Sequence, residues 1–70
     1  MIAKGIYRHY KGNLYRVLGS ATHSETMETL VVYEELRKGG LWVRPAVMFN
    51  EDVIVNGEEV KRFKYLPDER

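Results

Sequence analysis

Apolar and polar residues alternate along most of this chain with the two-residue period of half-buried strands. Ile6-Tyr7-Arg8-His9-Tyr10 and Leu14-Tyr15-Arg16-Val17-Leu18 flank Lys11-Gly12-Asn13, a short glycine-centred turn, and predict a hairpin. Thr29-Leu30-Val31-Val32-Tyr33 is the most apolar segment, as expected of a central strand with both faces at least partly covered. Arg37-Lys38-Gly39-Gly40 predicts a chain reversal ahead of a fourth strand, Leu41-Trp42-Val43-Arg44, which Pro45 ends. Ala46 to Phe49 lacks clean alternation and predicts a 3₁₀ or short helical turn near residues 46–51. Val53-Ile54-Val55, Asn56-Gly57 and Glu58-Glu59-Val60 form the strongest local signal, because Asn-Gly is the preferred pair of a type I′ hairpin turn. Lys61 to Leu66 keeps the alternation and is expected to continue that last strand, with Pro67 to Arg70 fraying. Five or six short strands must curl to bury their apolar faces, which predicts a mainly β, SH3-like, partly open barrel.

Length makes this one domain over residues 1–70, with only about 60% of the unfolded surface buried and a marginal core. The absence of cysteine leaves no disulfide framework, thiolate zinc site or cysteine nucleophile, and a reducing cytoplasm is the expected compartment. Met1 to Ile6 has no signal-peptide apolar stretch, and the longest apolar run, Leu30 to Tyr33, is far too short for a membrane span. A net charge of +1 says little about partners, but its distribution is uneven. Residues 1–24 carry Lys4, Arg8, Lys11 and Arg16 without an acid, whereas all ten acids fall in residues 25–70.

The basic first hairpin also carries Tyr7, His9, Tyr10 and Tyr15, and cations interleaved with aromatics suit single-stranded nucleic acid through phosphate attraction and base stacking. The same residues equally suit core-edge packing, with Glu25, Glu28, Glu34 and Glu35 pairing across to the bases. In His23-Ser24-Glu25-Thr26, extended backbone would put His23 and Glu25 on one face as an acid–base pair; the alternative is a turn built by Ser24 and Thr26. Neither Ser20 nor Ser24 lies in a Gly-x-Ser-x-Gly elbow. His9, His23 and Glu25 are suitable metal ligands, but a straight strand would hold them up to roughly 30 Å apart unless Gly19 bends it. Trp42 and Arg44 share a strand face beside Pro45, as in an aromatic peptide slot; alternatively Trp42 is the largest core element and Arg44 pairs with Glu28 or Glu34. Met48 and Phe49 are expected in the core.

Gly5-x-Tyr7-Arg8-His9-Tyr10-Lys11-Gly12, Tyr15-x-Val17, His23-Ser24-Glu25-Thr26, Val31-Val32-Tyr33 and Trp42-Val43-Arg44-Pro45-x-x-Met48-Phe49 span nearly the whole chain. Together they resemble a bacterial domain-of-unknown-function family, number sixteen fifty-three. The resemblance implies a small β-rich protein and carries over no catalytic role, cofactor or partner. The chain departs from the family's pattern after the third strand, where Leu36-Arg37-Lys38-Gly39-Gly40 replaces an expected acid and tyrosine.

The expectation is a binding module without catalysis, cofactor, metal or membrane, acting as a monomer or weak homodimer. Its candidate ligand-binding residues are Arg8, His9, Tyr10 and Lys11, the loop His23, Ser24 and Glu25, and Tyr33, Trp42 and Arg44. The expected ligand is single-stranded nucleic acid or a nucleotide; the alternative is a protein or peptide partner at Trp42, or a homodimer through an open strand edge.

Overall fold

The computed structural model describes residues 2–69; the expectations touching Met1 and Arg70 lie outside the described residues. The strands are β1 (Gly5–His9), β2 (Leu14–Thr22), β3 (Thr29–Glu35), β4 (Leu41–Pro45), β5 (Asp52–Val55), β6 (Glu58–Lys61) and β7 (Phe63–Tyr65). A single helical turn, α1 (Ala46–Phe49), joins β4 to β5 where the alternation lapses. One antiparallel sheet has the order β4-β3-β2-β1-β7, and β5 pairs with β6 in a separate hairpin. The fold is mainly β as expected, with seven described strands in place of five or six and both sheets open.

The extra strand arises because Lys61 to Leu66 is not one strand. After β6, Arg62 turns the chain into the other sheet, where β7 pairs with β1 through Tyr7 opposite Tyr65 and His9 opposite Phe63. Arg62 holds this crossing: its N–H donates to the Glu51 carbonyl, its carbonyl accepts from Tyr10 N–H, and its guanidinium lies 3.0 Å from the Glu51 carboxylate. Two-residue alternation reports which face a side chain occupies and nothing about the partner strand. The β5–β6 turn follows the sequence closely, with Asn56 at φ 51° and Gly57 at φ 81°, the left-handed pair a type I′ turn requires.

One face of the large sheet carries the core: Tyr7, Val17, Val31, Tyr33 and Phe63, covered by Phe49 from α1. A bulge at Leu18, between Val17 opposite Tyr33 and Gly19 opposite Val32, shifts the register along this face. Phe49 stacks on Phe63 at 4.1 Å between ring centroids and meets Tyr7 edge-on at 5.3 Å. Four helical residues are too few to be stable alone, so α1 persists because Phe49 is driven into this cluster. Its neighbour Met48, expected in the core, is instead 40% exposed, since one helical step of about 100° turns it outward. The accessible surface of 5283 Å² exceeds the roughly 4,500 Å² expected for this mass. Open sheets and an overall extent of 37 × 26 × 21 Å account for the excess. No helix among the described residues is long and apolar enough to cross a membrane.

Candidate functional site

Strand register brings the strongest site to the β4 end of the core face. Tyr15 lies opposite Glu35, Tyr33 opposite Trp42, and Val31 opposite Arg44, so β2, β3 and β4 present one continuous row. Tyr33 is buried as the floor, with Tyr15 edge-on to it at 5.4 Å and to Phe63 at 5.6 Å. Trp42 is 57% exposed and enters no ring pair among the described residues, so its size does not make it a core residue here. Phe49 occupies the central place that a tryptophan was a candidate to fill. Tyr15, Tyr33, Glu35, Trp42 and Arg44 enclose a shallow cleft of about 160 Å³, room for one planar ring system.

The cleft holds one cation, Arg44, and one carboxylate, Glu35. Arg44 Nε donates to the Tyr33 hydroxyl at 3.4 Å, its guanidinium lies 5.8 Å from the Phe63 ring, and it makes no ion pair among the described residues. The two expected carboxylate partners are elsewhere: Glu34 pairs with Arg16 at 3.1 Å, and Glu28 accepts from the Thr26 hydroxyl. Glu35 forms no ion pair with Arg44, because its carboxylate oxygens accept the backbone N–H groups of Arg37 and Lys38 at 2.9 and 2.8 Å. Those bonds hold its carboxyl below the usual carboxylate range. They also fix the turn that delivers Gly40 and Trp42, and so organise the loop where the chain departs from the family it resembles.

His9 extends the row beyond Tyr15. Its ring packs on Phe63 at 4.9 Å and Tyr10 at 4.6 Å, and its Nδ1 accepts the Lys11 N–H at 3.2 Å. Burial pushes its pKa down, and the positive charges of Arg44, Arg62 and Lys11 push it further. The imidazole is therefore neutral at pH 7 and serves as an aromatic wall.

The two shifts predict a pH dependence of folding. The unfolded chain takes up a proton at His9 first, so stability falls as pH drops from about 6.5 through the lower folded value. For Glu35 the contribution is present above about 4.5 and is lost as pH falls through the depressed folded value. Urea midpoints measured across pH should fall in these two windows. His9→Phe should abolish the first decline and leave the second; an unchanged first decline would remove His9 as its source.

The remaining expected site residues divide by position. Tyr10 and Lys11 stand at the β1–β2 turn beside His9, with Lys11 Nζ 5.8 Å from the Tyr10 ring centre. Arg8, across from Lys64 on β7, does not join the Trp42 cleft; it lines a separate cavity of about 460 Å³ with His9, Tyr10, Val55, Val60 and Lys61. His23, Ser24 and Glu25 form the far β2–β3 turn, separated from Tyr15 by about 20 Å of strand. There His23 Nδ1 accepts the N–H groups of Glu25 and Thr26 at 3.1 and 3.3 Å, so the imidazole caps the turn. This use of the ring replaces the acid–base pair with Glu25, and it is the turn reading of the motif that the geometry favours. The same separation parts His9 from His23 and Glu25, and no group of three metal-ligating side chains gathers among the described residues.

Tyr15, Glu35 and Phe63 join the site beyond the candidate ligand-binding residues, Tyr15 having entered only as an aromatic of the basic hairpin. Tyr15 was legible, since it keeps the same phase as Val17 across a tight hairpin from Tyr7. Glu35 and Phe63 depend on a turn geometry and a strand crossing that local pattern does not report.

Comparison with known proteins places this arrangement in a family. A crystal structure of a protein from Bordetella bronchiseptica, described as belonging to the family DUF1653, superposes with a TM-score of 0.86 at 37% sequence identity, covering 93% of this chain and 87% of that one. No curated protein matches. The model of the protein family of unknown function DUF1653 matches residues 5–65, which takes in the core strands and the Trp42 cleft alike. The chain belongs to the DUF1653 family.

Proposed function

We propose that this protein is a cytoplasmic, non-catalytic binding module for single-stranded nucleic acid or a nucleotide, and that the β2–β3–β4 face is its contact surface. The observation that carries the reading is Trp42, largely exposed beside an unpaired Arg44 over a floor of tyrosines. An aromatic face left open to water and a guanidinium one strand step away match the two halves of a nucleotide. The base stacks on the Trp42 indole and against Tyr15, while Arg44 donates to the phosphate. Lys11, whose charge already reaches His9, prolongs the positive field along the track of the backbone, while Arg62 is held by Glu51. Arg8 and the His23 turn are left out of the contact surface.

The test is fluorescence anisotropy of a labelled short single-stranded oligonucleotide, titrated with protein at low and moderate salt. About two neutralised phosphates give a slope near −1.4 for log K against log salt. Trp42→Ala should weaken binding about 5- to 100-fold, the equivalent of about 1–3 kcal/mol for one stacked base. Trp42→Phe should recover part of that loss. No binding by the wild type at low salt overturns the reading, and binding indifferent to salt removes the phosphate contacts of Arg44 and Lys11 from it.

A further inference from the structure

The two edges of the large sheet are treated differently. β7 has three residues, with Lys64 at its centre and Pro67 shortly beyond, the usual means of keeping an edge unpaired. β4 is longer and lacks lysine, keeps its arginine on the core face and its proline at the last position, and leaves Leu41, Trp42 and Val43 in succession 68%, 57% and 59% exposed. Gly40 and Glu35 continue the β3–β4 register, and the Gly40 carbonyl accepts the Glu35 N–H at 3.1 Å. Antiparallel ladders alternate, so Trp42 and Arg44 likewise direct their backbone groups to β3. Leu41 and Val43 then direct their N–H and C=O groups outward, along a free edge whose side chains are apolar.

We infer that β4 is a dimerisation strand, pairing antiparallel with β4 of a second copy about a two-fold axis at Val43. This interaction surface goes beyond the ligand reading and does not depend on it. Val43 is the midpoint of β4, so this register alone pairs all five residues of the strand. Val43 and its counterpart exchange two hydrogen bonds, and each Leu41 N–H donates to the carbonyl of the opposing Pro45, whose missing N–H leaves only the Leu41 carbonyl without a ladder donor at each end. On the core face each Trp42 lies against the stem and guanidinium of the opposing Arg44, a complementary cation and aromatic pair. A register centred on Arg44 would set two guanidinium groups against each other. On the other face the two Val43 side chains and flanking Leu41 side chains close over the seam. The product is a continuous ten-stranded sheet with the two Trp42 clefts adjoining at its centre, and the isologous contact closes without leaving a β4 edge for a third copy.

The absence of cysteine makes the register directly testable. Sedimentation across a concentration series should show the mass rising from 8.2 kDa toward twice that value. Val43→Lys, an exposed change on the face away from Trp42, should hold the protein at the monomer mass with its circular dichroism and oligonucleotide binding per chain retained. Val43→Cys should form a covalent dimer under mild oxidation, because residues opposite one another in a ladder lie within disulfide reach. Leu41→Cys should not, since the two Leu41 positions are four residues apart in register, roughly 13 Å. A wild type that stays monomeric at high concentration overturns the inference, and so does a dimer that Leu41→Cys cross-links more readily than Val43→Cys. Loss of oligonucleotide binding with the dimer intact would count against the ligand reading alone.

Discussion

Phe49→Ala should leave this protein largely unfolded at physiological temperature. Phe49 is 1% exposed, lies flat against Phe63, and touches Tyr7 and Tyr33, so truncation empties the centre of the aromatic cluster. Removing a buried phenylalanine costs about 3–5 kcal/mol, whereas a domain of this length has a total stability of about 4–10 kcal/mol. The helix adds to the sensitivity: α1 has no side-chain cap and no acidic residue in its first turn, so Phe49 is its main attachment. A thermal scan by circular dichroism should place the midpoint about 15–30 °C below wild type, from about 4–8 °C per kcal/mol for a domain of this size. A drop of only a few degrees would mean that Phe63 and Tyr33 close over the vacancy. Phe49→Leu should recover most of the loss, which separates volume from ring stacking.

Gly5→Val should be the second most damaging change, for a reason in the backbone. Gly5 opens β1 at φ +130°, a conformation closed to β-branched residues, and an added Cβ would lie 3.3 Å from Cε1 of Tyr65. Strain of this kind costs about 1–3 kcal/mol, and the crowding acts on the β1–β7 pairing that brings Phe63 into the core. Equilibrium urea unfolding should show a midpoint well below wild type with an unchanged slope. Gly5→Val in a Tyr65→Ala background should retain the backbone part of the loss and shed the crowding part. If the two changes are simply additive, the Tyr65 ring is not the obstacle.

What could be read from the chain, and what could not, follows from the range of each signal. Lys11-Gly12-Asn13 and Asn56-Gly57 report local chain reversals, and both hairpins form where they predict. Thr29 to Tyr33 reads as central and lies between β2 and β4. The candidates on one strand stay together: Trp42 and Arg44 share a face because they are two apart. Candidates from different segments are another matter, since only the register decides that Tyr33 meets Trp42 while His23 lies a long hairpin away. Adjacent residues also divide, as Arg8 does from His9 at the Trp42 cleft, because consecutive strand positions face opposite ways. Size alone leaves Trp42 between core and open slot, and the structure leaves it exposed because a large apolar residue on this edge strand has no layer above it.

Placing β1 between β2 and β7 sets the order in which the molecule can be made. Tyr7 and Phe63 share one core although they come from near opposite ends of the chain. During synthesis the first hairpin and β3 can pair as soon as they emerge, but their aromatic face remains uncovered until Phe49 arrives and Phe63 follows. One side of β1 waits unpaired over the same interval. Folding is thus dominated by late, long-range closure, which is slow relative to hairpin formation and leaves a nascent chain open to aggregation. Ribosome-bound chains ending before Phe63 would hold secondary structure without a sealed interior, and β7 would act as the latch.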